Sequence, residues 1–242
     1  MIKFFSSLRI YPLCFFLLLS LSHRINIHAQ ASQETYLSNI KDELKKEWPH
    51  NRTINLVFHG HSVPTGYAQT PNVNRPDAYP FLLLKKIQER YPYSVVNIIT
   101  TSIGGENSVQ GEKRFKKDVL PYKPDVLFID YALNDRSEGL EKARKATEKM
   151  IRAALRKHIK VILMTPSPDL GVDILQPGNI LGQFAGMLRR LASEYHIGLA
   201  DSYAAFVRLA RSGKDLRGYM AQINHPNKKG HEVIADEIIQ WF

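Results

Sequence analysis

The sequence predicts an α/β protein, a three-layer α/β/α sandwich around a five-stranded parallel sheet. Three observations carry this prediction. Short apolar runs recur at residues 54–59, 95–100, 126–131, 161–164 and 198–201. They are apolar throughout rather than alternating, as strands covered on both faces must be. Segments of helical spacing stand between them, so each strand returns to the sheet by a right-handed crossover.

Taken in order, residues 33–48 read as a surface helix. The run 54–59 ends at Gly60, which stops the first strand. Residues 77–90 place Tyr79, Leu82, Leu83 and Ile87 on one helical side. The second strand, 95–100, leads into the loop Gly104-Gly105-Glu106-Asn107. After the strand 126–131 comes a long amphipathic helix over 140–157. The fourth strand, 161–164, gives way to Pro166 and Pro168. A helix over 180–195, a short strand over 198–201 and a helix over 230–241 complete the chain. In such a sheet ligands bind beyond the carboxyl ends of the strands.

A chain of 242 residues with 44% hydrophobic and 23% charged residues suits one ordinary folded domain. Its first residues differ in character. Lys3 and Arg9 precede an apolar run over 10–21 that is too short to span a bilayer and ends in polar residues. This is the pattern of a signal peptide over 1–29, with cleavage after Ala29 or Ala31, giving a secreted or periplasmic protein without a stable membrane anchor. Cys14, the single cysteine, sits inside the run rather than at its end, unlike a lipoprotein context, and no thiol or disulfide remains in the rest of the chain. Loss of Lys3, Arg9 and Arg24 would lower the net charge of +10 by three. The remaining basic residues are scattered, as at Lys85-Lys86 and Arg189-Arg190, and no basic stretch interleaves with aromatics. Nucleic acid is therefore a poor partner, and attraction to acidic polysaccharide a minor one. Residues 30–52 are expected to form an N-terminal helical extension and residues 53–242 the main domain.

The chemistry-bearing residues fall at strand ends. Acyl transfer at serine needs an exposed hydroxyl, a base and donors for the oxyanion. Ser62 follows the first strand in Gly60-His61-Ser62-Val63-Pro64-Thr65-Gly66, where glycines let the backbone turn. His225, before the last helix in Asn224-His225-Pro226-Asn227, can serve as base. The N–H groups of Ser62 and Gly105 and the amide of Asn134 can form an oxyanion hole. Each of these signals is weak alone; a serine beside glycine is usually a turn residue, and Asn134-Asp135 is ordinary cap chemistry. Their joint order along the chain is what points to catalysis.

That order, Ser, Gly, Asn and His in successive blocks, resembles the SGNH or GDSL hydrolases over roughly residues 53–242. The resemblance implies a flavodoxin-like sandwich, a carboxylic ester hydrolase, Ser62 as nucleophile, Gly105 and Asn134 as second- and third-block residues, and His225 as base. It implies supporting places for Asp135, which follows Asn134, and for His61, which stands where the family has Asp. It also implies an acid three residues before His225, and that position is Gln222. A glutamine can accept from the imidazole Nδ1–H but cannot neutralise an imidazolium. The expectation is a Ser–His dyad, with Asp169 or Asp173 as alternative acids.

Other readings are weaker. Pro64 stands where a Gly-x-Ser-x-Gly elbow needs glycine. No phosphate-binding loop or dinucleotide fingerprint occurs, so no cofactor is expected. His59 and His61 lie two apart and invite a metal reading, but no third ligand has a recognisable spacing, and no metal is expected. The expected substrate is an acylated carbohydrate or other small ester, with Tyr67, Asn72, Asn74, Glu106 and Asn107 as candidate cleft residues. The alternatives are a non-catalytic glycan-binding protein on the same fold and a lipase or lysophospholipase.

Overall fold

The computed structural model describes Met1 and residues 30–242. The expected signal peptide, with Cys14, otherwise lies outside the described residues. The strands β1 (Thr53–Gly60), β2 (Val95–Thr100), β3 (Val126–Asp130), β4 (Lys160–Met164) and β5 (Gly198–Ala200) form one sheet in the order β2-β1-β3-β4-β5. Every pairing in it is parallel. The sandwich predicted from the apolar runs is the one observed.

Alternate residues of β1 feed opposite faces, as strand geometry requires. Leu56 and Phe58 enter one core with Phe128, Ile162 and Trp241; Val57 enters the other with Leu127, Ile129 and Val161. Phe58 stacks on Phe128 with ring centroids 4.3 Å apart. The first face is covered by α1 (Ser38–Leu44), α3 (Tyr79–Arg90), α7 (Ser202–Arg211) and α8 (Lys228–Ile239). The second is covered by α4 (Ser108–Asp118), α5 (Leu140–Leu155) and much of α6 (Ile180–Glu194). From β1 the chain passes to β2 on one side and then to β3 on the other, so strand order reverses at β1. In open α/β sheets such a reversal is where the loops diverge and ligands bind at the carboxyl edge.

Several elements differ from the sequence reading. The helix expected over 33–48 is confined to α1, and its Leu37, Ile40 and Leu44 are buried in the same core as the sheet. Tyr36 joins this anchoring: its hydroxyl donates to the Val161 carbonyl at 3.1 Å and accepts from the Val161 N–H at 2.9 Å. The helix α4 went unread because charges and an interior glycine hide its periodicity. Gly111 lies where a Cβ would collide with the Tyr131 ring, so glycine here is a packing requirement. Its start signal was legible, for Asn107 and Gln110 form a reciprocal capping box. The helix α7, capped by the Asp201 side chain, was likewise unread. The last helix begins two residues earlier than expected, after Asn227, whose side chain accepts from the Gly230 N–H. A two-stranded antiparallel hairpin, β6 (Met220–Gln222) with β7 (His225–Pro226), precedes it and was too short to show a period.

Candidate active site

Beyond β1 the chain enters α2 (Ser62–Thr65), a single turn with Ser62 as its first residue. Two glycines make this turn possible. A Cβ on Gly60 would lie 2.5 Å from the Asp130 carbonyl oxygen, and Gly66 closes the turn at φ +96°. The His61 side chain caps the turn, its Nδ1 accepting from the Val63 N–H at 3.2 Å. Its Nε2 therefore carries the proton and faces Asp130 Oδ1 at 3.4 Å, an electrostatic contact rather than a well-formed hydrogen bond. Asp130 also accepts from the Tyr79 hydroxyl at 2.9 Å. His61 thus braces the turn that carries Ser62 against the end of β3. Asp130 escaped the sequence reading, although a lone acid ending the apolar run VLFID was its signal.

The hairpin β6–β7 brings His225 to Ser62. Its Nε2 lies 2.9 Å from Ser62 Oγ, and its Nδ1 lies 2.9 Å from the Ala68 carbonyl oxygen. A carbonyl only accepts, so Nδ1 carries the hydrogen and Nε2 presents its lone pair to the serine hydroxyl. Both side chains are buried, at 7% and 6% exposure.

The partner of Nδ1 corrects the sequence expectation. It is neither Gln222 nor a distant acid. Gln222 Oε1 instead accepts from the Thr70 N–H at 2.9 Å. Asp169 is bound by Arg136 at 2.7 Å and by the Gly171 N–H. Asp173 accepts from the Leu175 N–H. A backbone carbonyl has no sequence signature, so nothing in the composition of the loop could have announced Ala68.

The loops after β2 and β3 approach the same edge. Gly105 has φ +81° and open space where a Cβ would be. Among the described residues the N–H groups of Ser62 and Gly105 have no backbone acceptor. The Asn134 amide donates to the Glu106 carbonyl at 2.9 Å, tying the two loops together and leaving its second N–H to donate elsewhere. Asp135, next to it, accepts from the Ser108 N–H at 2.7 Å at the start of α4, and burial pushes its carboxyl up to about 6.

Of the candidate cleft residues, Tyr67 stays at the site: its ring lies 5.9 Å from that of His225 and packs under Gly104. Others have different partners. The Glu106 carboxylate pairs with the Arg114 guanidinium, and Asn107 is buried as the cap of α4. Asn74 donates to Asp77 at 2.8 Å, whereas Asn72 accepts the Ala68 N–H through its backbone carbonyl. His59 is buried with both ring nitrogens engaged, by Thr101 Oγ1 at 2.9 Å and the Gly111 carbonyl at 3.1 Å, and burial lowers its pKa to about 4. It turns inward beneath the site rather than toward a shared ligand with His61.

Electrostatics favour a neutral base. Burial holds His225 below the ordinary histidine range, against the Ala68 carbonyl, which favours the charged ring, and His61 pushes it lower still. A base must be neutral to take a proton. The acid limb of kcat/KM is therefore expected below the ordinary histidine value of about 6.5, with activity persisting into mildly acid solution. A kcat/KM profile on a small acetyl ester checks this, and a limb above that value would contradict it.

Known proteins share this fold. The chain superposes on a two-domain esterase active on acetylated mannans with a TM-score of 0.71 at 20% identity, over 89% of this chain and 54% of that one. It superposes on Axe2, an acetylxylan esterase from Geobacillus stearothermophilus, with a TM-score of 0.67 at 19% identity, over 78% of this chain and 93% of that one. In sequence it is 34% identical over 101 residues to the uncharacterized lipoprotein YqeF of Bacillus subtilis, a match spanning 38% of this chain and 40% of that relative. The profile of the GDSL-like Lipase/Acylhydrolase family matches residues 58–233, from the end of β1 to within α8 and so across Ser62, Gly105, Asn134 and His225. By that match the chain belongs to the GDSL-like lipase/acylhydrolase family.

Proposed function

We propose that this chain is an exported serine esterase that removes acetyl or other short acyl groups from carbohydrate, using Ser62 and His225 as a dyad. The observation that carries the reading is the contact chain from Ser62 Oγ through the His225 ring to the Ala68 carbonyl, 2.9 Å at each step. His225 Nε2 takes the hydroxyl proton as Ser62 Oγ attacks the ester carbonyl carbon. The tetrahedral oxyanion is met by the Ser62 and Gly105 N–H groups and the Asn134 amide. Collapse breaks the bond to the leaving alkoxide, which takes the proton from His225 and departs as an alcohol. Water, deprotonated by the same Nε2, then attacks the acyl-serine and releases the acid and the free hydroxyl. The Ala68 carbonyl fixes the tautomer throughout and stabilises the transient imidazolium by its dipole.

The carbohydrate reading draws on two further features. The solved relatives named above act on acetylated mannan and acetylxylan. Beside the Gly104-Gly105 loop runs a depression of about 510 Å³ whose lining includes Thr100, Thr101, Ser102, Ile103, Lys117 and Tyr122. Its hydroxyls and the exposed Tyr122 ring are groups that suit a sugar chain. Export rests on the basic start and apolar run of the first residues, with Cys14 inside that run. Among the described residues no helix is long and apolar enough to cross a membrane.

Acetate release from a panel of acetylated polysaccharides, set beside fatty-acid release from long-chain acyl glycerides and lysophospholipid, tests the substrate class. Release of acetate from at least one polysaccharide at a kcat/KM well above that for any long-chain ester is expected. The reverse preference would support the lipase reading.

A further inference from the structure

We infer that Gln222 is the positioning residue of the dyad, acting on His225 indirectly through the loop that supplies the Ala68 carbonyl. The inference rests on the Ser62–His225 reading and names a residue whose role in it is otherwise unassigned. Residues 66–74 fold as a tight return. Tyr67 bridges to Val73, the Ala68 N–H donates to the Asn72 carbonyl at 3.0 Å, and the Asn74 N–H donates to the Gly66 carbonyl at 2.8 Å. The tip of this loop is exposed, so its own packing does not fix its position. Two side chains from one hairpin hold it. His225 donates to Ala68, and Gln222 accepts from the Thr70 N–H.

Gln222 and His225 face each other in the β6–β7 register, so clamp and base are neighbours on a single rigid unit. The glutamine is also held, its amide lying 3.4 Å from Asn224 Oδ1. With the clamp in place, the Ala68 carbonyl sits where the Nδ1–H points. Without it, only the His225 side chain ties the loop to the hairpin, and the Ala68 carbonyl is freer to drift from the Nδ1–H. His225 would then lose the group that selects its tautomer and offsets its burial. Length matters as well as chemistry. Aspartate at 222 would be a methylene shorter and would fall short of Thr70, whereas glutamine spans the gap. The sequence position where the family resemblance implied an acid thus carries a clamp for the carbonyl that replaces that acid.

The titratable groups facing His225 are His61 beside Ser62, His231 on α8 and the Tyr67 phenol, and all stay in place in the variants that test the inference. Gln222→Met keeps the length and removes the acceptor; Gln222→Glu keeps both. Kinetics on a small acetyl ester across pH, melting temperature and the NMR signal of the His225 Nδ1–H are read together. Gln222→Met is expected to lower kcat roughly tenfold, the scale of one lost orienting hydrogen bond, with KM changed less than about twofold. Its acid limb should move down and its Nδ1–H signal should broaden through exchange with water. Gln222→Glu should keep kcat within about threefold and retain the signal. Wild-type kcat, acid limb and Nδ1–H signal in Gln222→Met would overturn the inference, whatever the melting temperature. Equal losses in both variants with the acid limb unmoved would also overturn it, because the residue would then serve only the fold. Ser62→Ala, run alongside, separates the two levels: turnover surviving there would mean that the dyad reading itself has failed.

Discussion

Ser62→Ala will abolish turnover of a small acetyl ester and leave a folded protein that still binds substrate. In the proposed mechanism the hydroxyl oxygen bonds to the acyl carbon, and His225 Nε2, 2.9 Å away, takes its proton. Without it the remaining donors can polarise an ester but cannot form the covalent intermediate. The expected fall in kcat is roughly 10⁴–10⁶, the range seen when a serine nucleophile is removed from such a site. The cost to stability is small. Alanine is compatible with the first position of α2, the turn stays capped by His61, and the lost hydrogen bond contributes about 1 kcal/mol. Circular dichroism and a melting curve will resemble the wild type. Purified Ser62→Ala that keeps wild-type kcat would remove the nucleophile from the account.

Asn134→Ala carries the second large effect, a fall in kcat of roughly 10²–10³ with KM changed far less. The reason for the split is that the amide is aimed at charge that develops only as the tetrahedral state forms. The structure adds a second contribution in the same direction. The same amide donates to the Glu106 carbonyl at 2.9 Å, next to Gly105. Alanine therefore removes one oxyanion donor and loosens the loop that carries another. Steady-state kinetics on an activated ester measure both quantities, and an effect confined to KM would show that Asn134 only binds substrate.

How far the sequence disclosed this molecule depends on where its information lies. The sheet was legible because burial on both faces imposes continuous apolar runs, and VLFID and INLVFH have no other economical reading. Helices whose apolar face is broad, such as α5 and α6, were legible for the same reason. The helix α4 was not, because it buries mainly Phe115 and a glycine that meets Tyr131, and the rest of its surface is charged. At the site, Ser62, Gly105, Asn134 and His225 stood out as candidates by residue type and by their places in the order of the chain. Their partners did not. Glu106 is drawn to Arg114 eight residues on, a pairing that becomes plain only once the loop ahead of α4 lies against that helix. Gln222 was expected to hold the imidazole and instead reaches Thr70, 152 positions away in the chain. The Ala68 carbonyl belongs to the backbone, which every residue offers equally, and only folding singles it out.

The central claim, that Ser62 is the nucleophile activated by His225, has a direct chemical test. The protein is treated with a small organophosphonate ester, an active-site reagent for activated serine, and the adduct is located by peptide mass mapping. The account predicts about one equivalent of label, on the peptide carrying Ser62, in step with loss of esterase activity. Neither Ser62→Ala nor His225→Ala should label at a comparable rate. Inactivation with the label on another residue, or active protein that never labels at Ser62, would contradict it.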